Sequence, residues 1–131
     1  MEAKEVVQKG YDLFGAGDME AFFNDVVHDH ITWTFPGDND KHPLAGVHEG
    51  KENFIANMMK IPEYWNNFMV KPVSMISEGN KVFVIVKGTA EGMDTMFGHY
   101  FEVEDDRMKV MMTFDDTLTC LLYTSDAADD L

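Results

Sequence analysis

The chain has 131 residues, 45% of them hydrophobic, which suits one domain with a real core and argues against disorder. Its formal net charge of −14 argues against binding nucleic acid or an anionic membrane, both of which would repel it. No apolar run approaches the roughly 20 residues a membrane helix needs. The opening MEAKEVVQKG lacks the apolar stretch of a signal peptide, and the lone Cys120 leaves no internal disulfide and fits a reducing, cytoplasmic setting.

The first helix is expected over about Glu2 to Phe14, where Val7, Tyr11 and Phe14 recur at helical spacing beside Val6 and Leu13. Gly17 suits a left-handed turn after it, and Asp18 suits the cap of a second helix over about Met19 to Val27. HITWTF is the first strand, with Ile31, Trp33 and Phe35 on one face. Pro36-Gly37-Asp38-Asn39-Asp40 is a loop. A third helix is expected over about Lys51 to Ile61, with Phe54, Ile55, Met58 and Met59 on one side and Pro62 ending it.

The period then changes to two. Phe68 to Ser77, Lys81 to Ala90, Thr95 to Glu104 and Arg107 to Leu118 read as strands. Glu78-Gly79-Asn80 and Asp105-Asp106 are their turns. Helices first and strands later imply an α+β fold, with helices on one face of a curved, mostly antiparallel sheet. A single domain is expected over 1–120. The segment LLYTSDAADDL, residues 121–131, resembles a translated cloning tail and is read as foreign or disordered.

Tyr11-Asp12-Leu13-Phe14-Gly15-Ala16-Gly17-Asp18 resembles the Y-x-x-F-x-x-G-D signature of the nuclear-transport-factor-2-like superfamily. Trp33 to Gly37, Pro43-Leu44-Ala45-Gly46 and Gly50-Lys51-Glu52 resemble consecutive motifs of its SnoaL-like, polyketide-cyclase and ketosteroid-isomerase-like branch. Phe101 to Arg107 and Phe114-Asp115-Asp116-Thr117 are similar to that branch's last hairpin. The resemblance implies a cystatin-like cone: three N-terminal helices on a strongly curved sheet, with an apolar pocket between the layers. It also implies pairing of two copies through the outer sheet face. Strand 82–86 is apolar on both faces, which agrees with a covered outer face.

Superfamily membership does not fix an activity. In the isomerase pattern the helix-one tyrosine falls on Gly10 and the general-base aspartate on Phe35, so that constellation is missing. The isomerase's oxyanion-stabilising acid falls on or beside His99. A two-residue turn at Asp105-Asp106 would set His99 opposite Met112, Phe101 opposite Val110 and Phe97 opposite Phe114. His99 then stands on the apolar face, where burial would keep it neutral. Two readings stay open: a proton-handling group in a pocket, or a core histidine satisfied by a backbone carbonyl or by Tyr11.

Asp116 and Tyr11 are the other candidate catalytic groups, although Asp116 lies too far along its strand for a direct bond to His99. Trp33, Phe35, Phe54, Met58, Phe97, Phe101, Met112 and Phe114 are the expected ligand-binding walls. The run His28-Asp29-His30 has two imidazoles but no third ligand fixed by spacing, so neither metal nor cofactor is expected. The expected partners are a small apolar, ring-bearing molecule and a second copy of the chain. The reaction classes in view are cofactor-free isomerase, lyase or cyclase chemistry. The alternative is a binding or assembly module without catalysis.

Overall fold

The computed structural model describes residues 1–37 and 42–115. Asp116, Cys120 and the segment 121–131 lie outside the described residues. Helix α1 spans Ala3–Gly15 and buries Val6, Val7, Gly10 and Tyr11. It stops where Gly17 turns left-handed at φ 74°. Asp18 caps the next helix: its Oδ1 accepts from the Ala21 N–H at 3.1 Å. That helix, α2 at Met19–Ala21, widens at once into a π-helical turn over Phe22–Val26. The expected second helix is therefore shorter in its α part, and Val27 already belongs to the first strand.

Among the described residues, six strands follow the order β2-β1-β6-β5-β4-β3 in one sheet. They are β1 Val27–Phe35, β2 Gly46–Glu49, β3 Met69–Glu78, β4 Lys81–Ala90, β5 Met93–Glu104 and β6 Arg107–Phe114. The β1–β6 pair is parallel, and every other pair is antiparallel. Strand β2, Gly46–Glu49, is not among the strands expected from the sequence. It hydrogen-bonds to β1, with Trp33 opposite His48. Pro72 lies on β3, an edge strand, beside a register shift between Pro72 and Ser74. An edge with a bulge tolerates a residue that cannot donate to the ladder.

Helix α3, Lys51–Met58, ends three residues before its expected end. Pro62 does not terminate it. Pro62 sits in the first turn of a separate short helix, α4, Ile61–Tyr64, where a missing N–H costs nothing. The architecture is α+β: helices packed on one face of a curved six-stranded mixed sheet. Helix α1 lies across β3, β4, β5 and β6, and α3 lies against β1 and β2. No helix among the described residues is long and apolar enough to cross a membrane.

Between β5 and β6 the turn is as expected. Asp105 and Asp106 both have positive φ, 55° and 57°, the two-residue turn whose twist suits a hairpin. The register beyond it is not as expected. Glu104 opposes Arg107 and Val103 opposes Met108, but a bulge follows, and Glu102 then opposes Val110. From there on His99 opposes Thr113, not Met112. A slip of one residue exchanges the two faces of a strand. Met108, Met111 and Thr113 therefore face inward. Phe114 lies on the other face and is 44% exposed, and Met112 shares that outer face.

Candidate functional site

The inner face of the sheet and helix α1 enclose a hollow of about 80 Å³. That is well below the roughly 300–1,000 Å³ of pockets for drug-sized ligands. Of the expected walls, Trp33, Phe35, Met58, Phe97 and Phe101 line it. Phe54 does not. It packs behind Trp33 with ring centroids 5.4 Å apart, as a fully buried core residue. Met112 and Phe114 are corrected with the register: the bulge turns them to the opposite face. Trp65, Ile61, Phe68, Met108 and Met111 line the hollow in addition.

Trp33 and Phe35 stand on one face of β1 because they are two residues apart, and their rings meet edge to face at 6.3 Å. Trp33 is both core and wall. It is 2% exposed, and its Nε1–H donates to Thr113 Oγ1 at 3.0 Å. That bond ties the parallel β1–β6 pair together through side chains. On the far wall, the Phe97 ring lies over Gly88 of the neighbouring strand. A Cβ on Gly88 would come within 1.8 Å of that ring. Gly88 is what lets Phe97 lie back against the sheet.

Besides Thr113, the polar side chains that line the hollow are Tyr11 with His99 and His42 with Asp115. Strand β5 presents His99 inward, and α1 presents Tyr11 toward it. The Tyr11 hydroxyl is 2.6 Å from His99 Nδ1, and both residues are buried. Burial drives the His99 pKa down to about 4 and pushes the Tyr11 phenol up, so both are neutral near pH 7. A phenol has one proton to give, and Nδ1 is its hydrogen-bond partner. With the O–H donating and Nδ1 accepting, the imidazole proton sits on Nε2; with Nδ1–H donating to the phenol oxygen, it sits on Nδ1. The His99 ring is part of the wall of the hollow.

The second pair is His42 with Asp115. His42 Nε2 lies 3.2 Å from Asp115 Oδ2, and both side chains are almost fully buried. The Leu44 N–H donates to His42 Nδ1 at 3.2 Å. His42 therefore carries its proton on Nε2 and donates it to the carboxylate. Both residues line the hollow. The acidic candidate expected from the sequence, Asp116, lies outside the described residues. Asp115 faces the hollow because the bulge shifts the inward set of β6 by one. His28 and His30 do not join either pair. His28 Nδ1 accepts the His30 N–H, and its Nε2 lies 3.6 Å from Asp105.

The model of the SnoaL-like domain matches residues 7–111. No curated protein gives a significant match. Among solved structures, the chain is similar to a nuclear-transport-factor-2-like protein of unknown function from Burkholderia pseudomallei. The TM-score is 0.82 at 20% identity, covering 95% of this chain and 99% of that one. A putative SnoaL-like polyketide cyclase from Jannaschia sp. matches with TM-score 0.76 at 19% identity, covering 94% and 91%. TerC, co-crystallised with polyporic acid, matches with TM-score 0.78 at 20% identity, covering 88% and 92%. At these identities the likeness is one of fold.

Proposed function

The chain belongs to the SnoaL-like domain family, and on that premise we propose that it is a pocket protein for a small apolar, cyclic molecule carrying a carbonyl oxygen. The observation that carries this reading is the buried Tyr11–His99 pair on the wall of an otherwise greasy hollow. Trp33, Phe35, Phe97 and Phe101 offer ring faces and edges. His99 Nε2–H offers a directed donor to one oxygen. The small volume selects a ligand near the size of a single ring, with Met58, Met108 and Met111 as the adaptable part of the wall.

The chemistry such a site supports needs no cofactor. A neutral, hydrogen-bonded imidazole in a dry hollow stabilises charge growing on a carbonyl oxygen and hands it a proton. That is what isomerase, lyase and cyclase reactions at an activated carbonyl require, and such proton transfer is typically worth about 10² to 10⁴ in rate. The printed descriptions of two structural neighbours, one a putative polyketide cyclase and one crystallised with polyporic acid, agree with a cyclic ligand. The sequence's single cysteine supports a reducing, cytoplasmic setting.

Trp33 and Trp65 are the chain's two tryptophans, and both line the hollow. Intrinsic fluorescence during a cyclohexanone titration therefore reads occupancy directly. A saturable change, weakened roughly three- to tenfold by His99→Phe, is the expected result. A change that never saturates, or equal affinity in the variant, would contradict the reading.

A second reading concerns assembly. The outer face of the sheet carries Ile76, Phe83, Ile85, Met96 and Phe114, each at least 40% exposed. Cross-strand pairing makes them neighbours: Ile76 opposes Phe83, and Tyr100 bridges Phe83 to Met112. A contiguous apolar face of this kind suits burial against another surface. We propose a second copy of the chain as its partner.

A further inference from the structure

Helix α1 carries a glycine on its buried face. Gly10 stands with Val7 and Tyr11 on the side that lines the hollow. A glycine inside a helix weakens it relative to alanine. The packing does not require one here. A Cβ on Gly10 would stand 3.6 Å from Met108 Sδ and Cε and 3.7 Å from Val26 Cγ2, ordinary van der Waals distances. Its backbone is helical, so no left-handed angle calls for glycine either.

Met108 covers that glycine. It is 2% exposed on β6 and precedes Lys109, the extra residue of the bulge. A methionine turns about three single bonds, so its end leaves a site that a branched side chain would hold. The hollow is about 80 Å³, against the roughly 150 Å³ of a dry cavity that holds a benzene ring. A ring therefore needs a wall residue to give way. Met58, Met108 and Met111 are the flexible members of the wall, and the end of Met108 rests over the bare backbone of Gly10.

We propose that Met108 and Gly10 together set the size of ring that the pocket takes: the Sδ–Cε end of Met108 swings aside, and the edge of the ring lies against the helix backbone at Gly10, beside Tyr11. This rests on the pocket reading above and adds its specificity determinant. It also accounts for the glycine, because a Cβ at position 10 would narrow the space that the ring edge enters. The displaced end of Met108 stays inside the wall. The room it yields therefore serves one ring and not a fused second one.

The test measures the affinities of cyclohexanone and of 1-tetralone, a ketone with a second, fused ring, by calorimetry on the full chain. In the unaltered protein 1-tetralone binds at least about tenfold more weakly than cyclohexanone. Met108→Val, which removes Sδ and Cε, raises the tetralone-to-cyclohexanone affinity ratio at least about tenfold, the scale of a methylene-sized change in an apolar pocket. Gly10→Ala melts no lower than the unaltered protein, yet weakens both ketones at least about fivefold. Merely structural roles would not separate melting temperature from affinity in this way. Equal binding of the two ketones by the unaltered protein, an unchanged ratio in Met108→Val, or unchanged affinities or a lower melting temperature in Gly10→Ala overturns the proposal. In each of these cases cyclohexanone binding by the unaltered protein leaves the pocket reading standing. Gly10→Ala decides alone should Met108→Val not fold. Binding of neither ketone by the unaltered protein overturns the pocket reading and this proposal with it.

Discussion

Tyr11 and His99, 88 positions apart in the chain, meet through a 2.6 Å hydrogen bond between helix α1 and strand β5. Their rings are nearly parallel, with centroids 5.9 Å apart. Phe97 and Phe101 flank the imidazole on the same strand face, at 6.4 and 6.0 Å. The bond satisfies one ring nitrogen. Tyr11 offsets the desolvation cost of Nδ1, and the same ring lines the hollow.

The depressed His99 pKa makes folding pH-dependent with a definite sign. The folded pKa is about 4 and the unfolded value about 6.5. Between those values the unfolded chain binds more protons, so stability falls as pH falls. By pH 5 the His99 contribution to this loss reaches about 2 kcal/mol. Urea melts at pH 7 and pH 5 should show His99→Gln losing about that much less than the unaltered protein. Parallel losses in the two proteins would contradict the assignment.

Thr113 matters because Trp33 has a buried indole N–H to satisfy. Thr113→Val keeps the shape and removes the acceptor. The expected cost is about 1–3 kcal/mol, the penalty for an unsatisfied buried donor. Equilibrium denaturation measures it, and a change within about 0.5 kcal/mol would show that Trp33 finds another partner.

Gly88 is needed for space, not for an unusual backbone angle. In Gly88→Ala the Phe97 ring must swing off the strand toward the hollow. The expected destabilisation is about 1–3 kcal/mol, typical of overpacking. Loss of cyclohexanone binding should accompany it. A thermal melt with and without ligand reads both effects.

The outer face predicts self-association. Light scattering should report a dimer, and Phe83→Glu with Ile85→Lys should yield a folded monomer. Each copy carries a net charge of −14. Raising salt from low to physiological ionic strength should therefore tighten the dimer by screening repulsion. A monomer at all concentrations and salt levels would contradict the assembly reading.

Most of the fold was legible because period and punctuation agreed: β4 at Lys81–Ala90 and the Asp105-Asp106 turn stand as expected. Helix limits failed where local rules compete. Pro62 ends a helix as readily as it begins one, and the sequence does not say which. The site was half legible. His99, Tyr11, Trp33 and Phe35 carry apolar-face or helix-face patterns that periodicity detects. The β5–β6 bulge carries no such mark, since Lys109 and Val110 alternate as an ordinary strand would. Every assignment beyond it, including Met112, Phe114 and the inward acid at Asp115, depends on that one extra residue. His42 sits in a loop, where no period places a side chain.

Ring-nitrogen NMR of His99, in ¹⁵N-labelled full-length protein at pH 6 with and without cyclohexanone, tests the central arrangement most directly. The account predicts a neutral ring protonated at Nε2, with the Nε2 resonance moving on ligand addition and Nδ1 held by Tyr11. A ring titrating near the ordinary histidine value, or an Nε2 signal indifferent to the ketone, would contradict it.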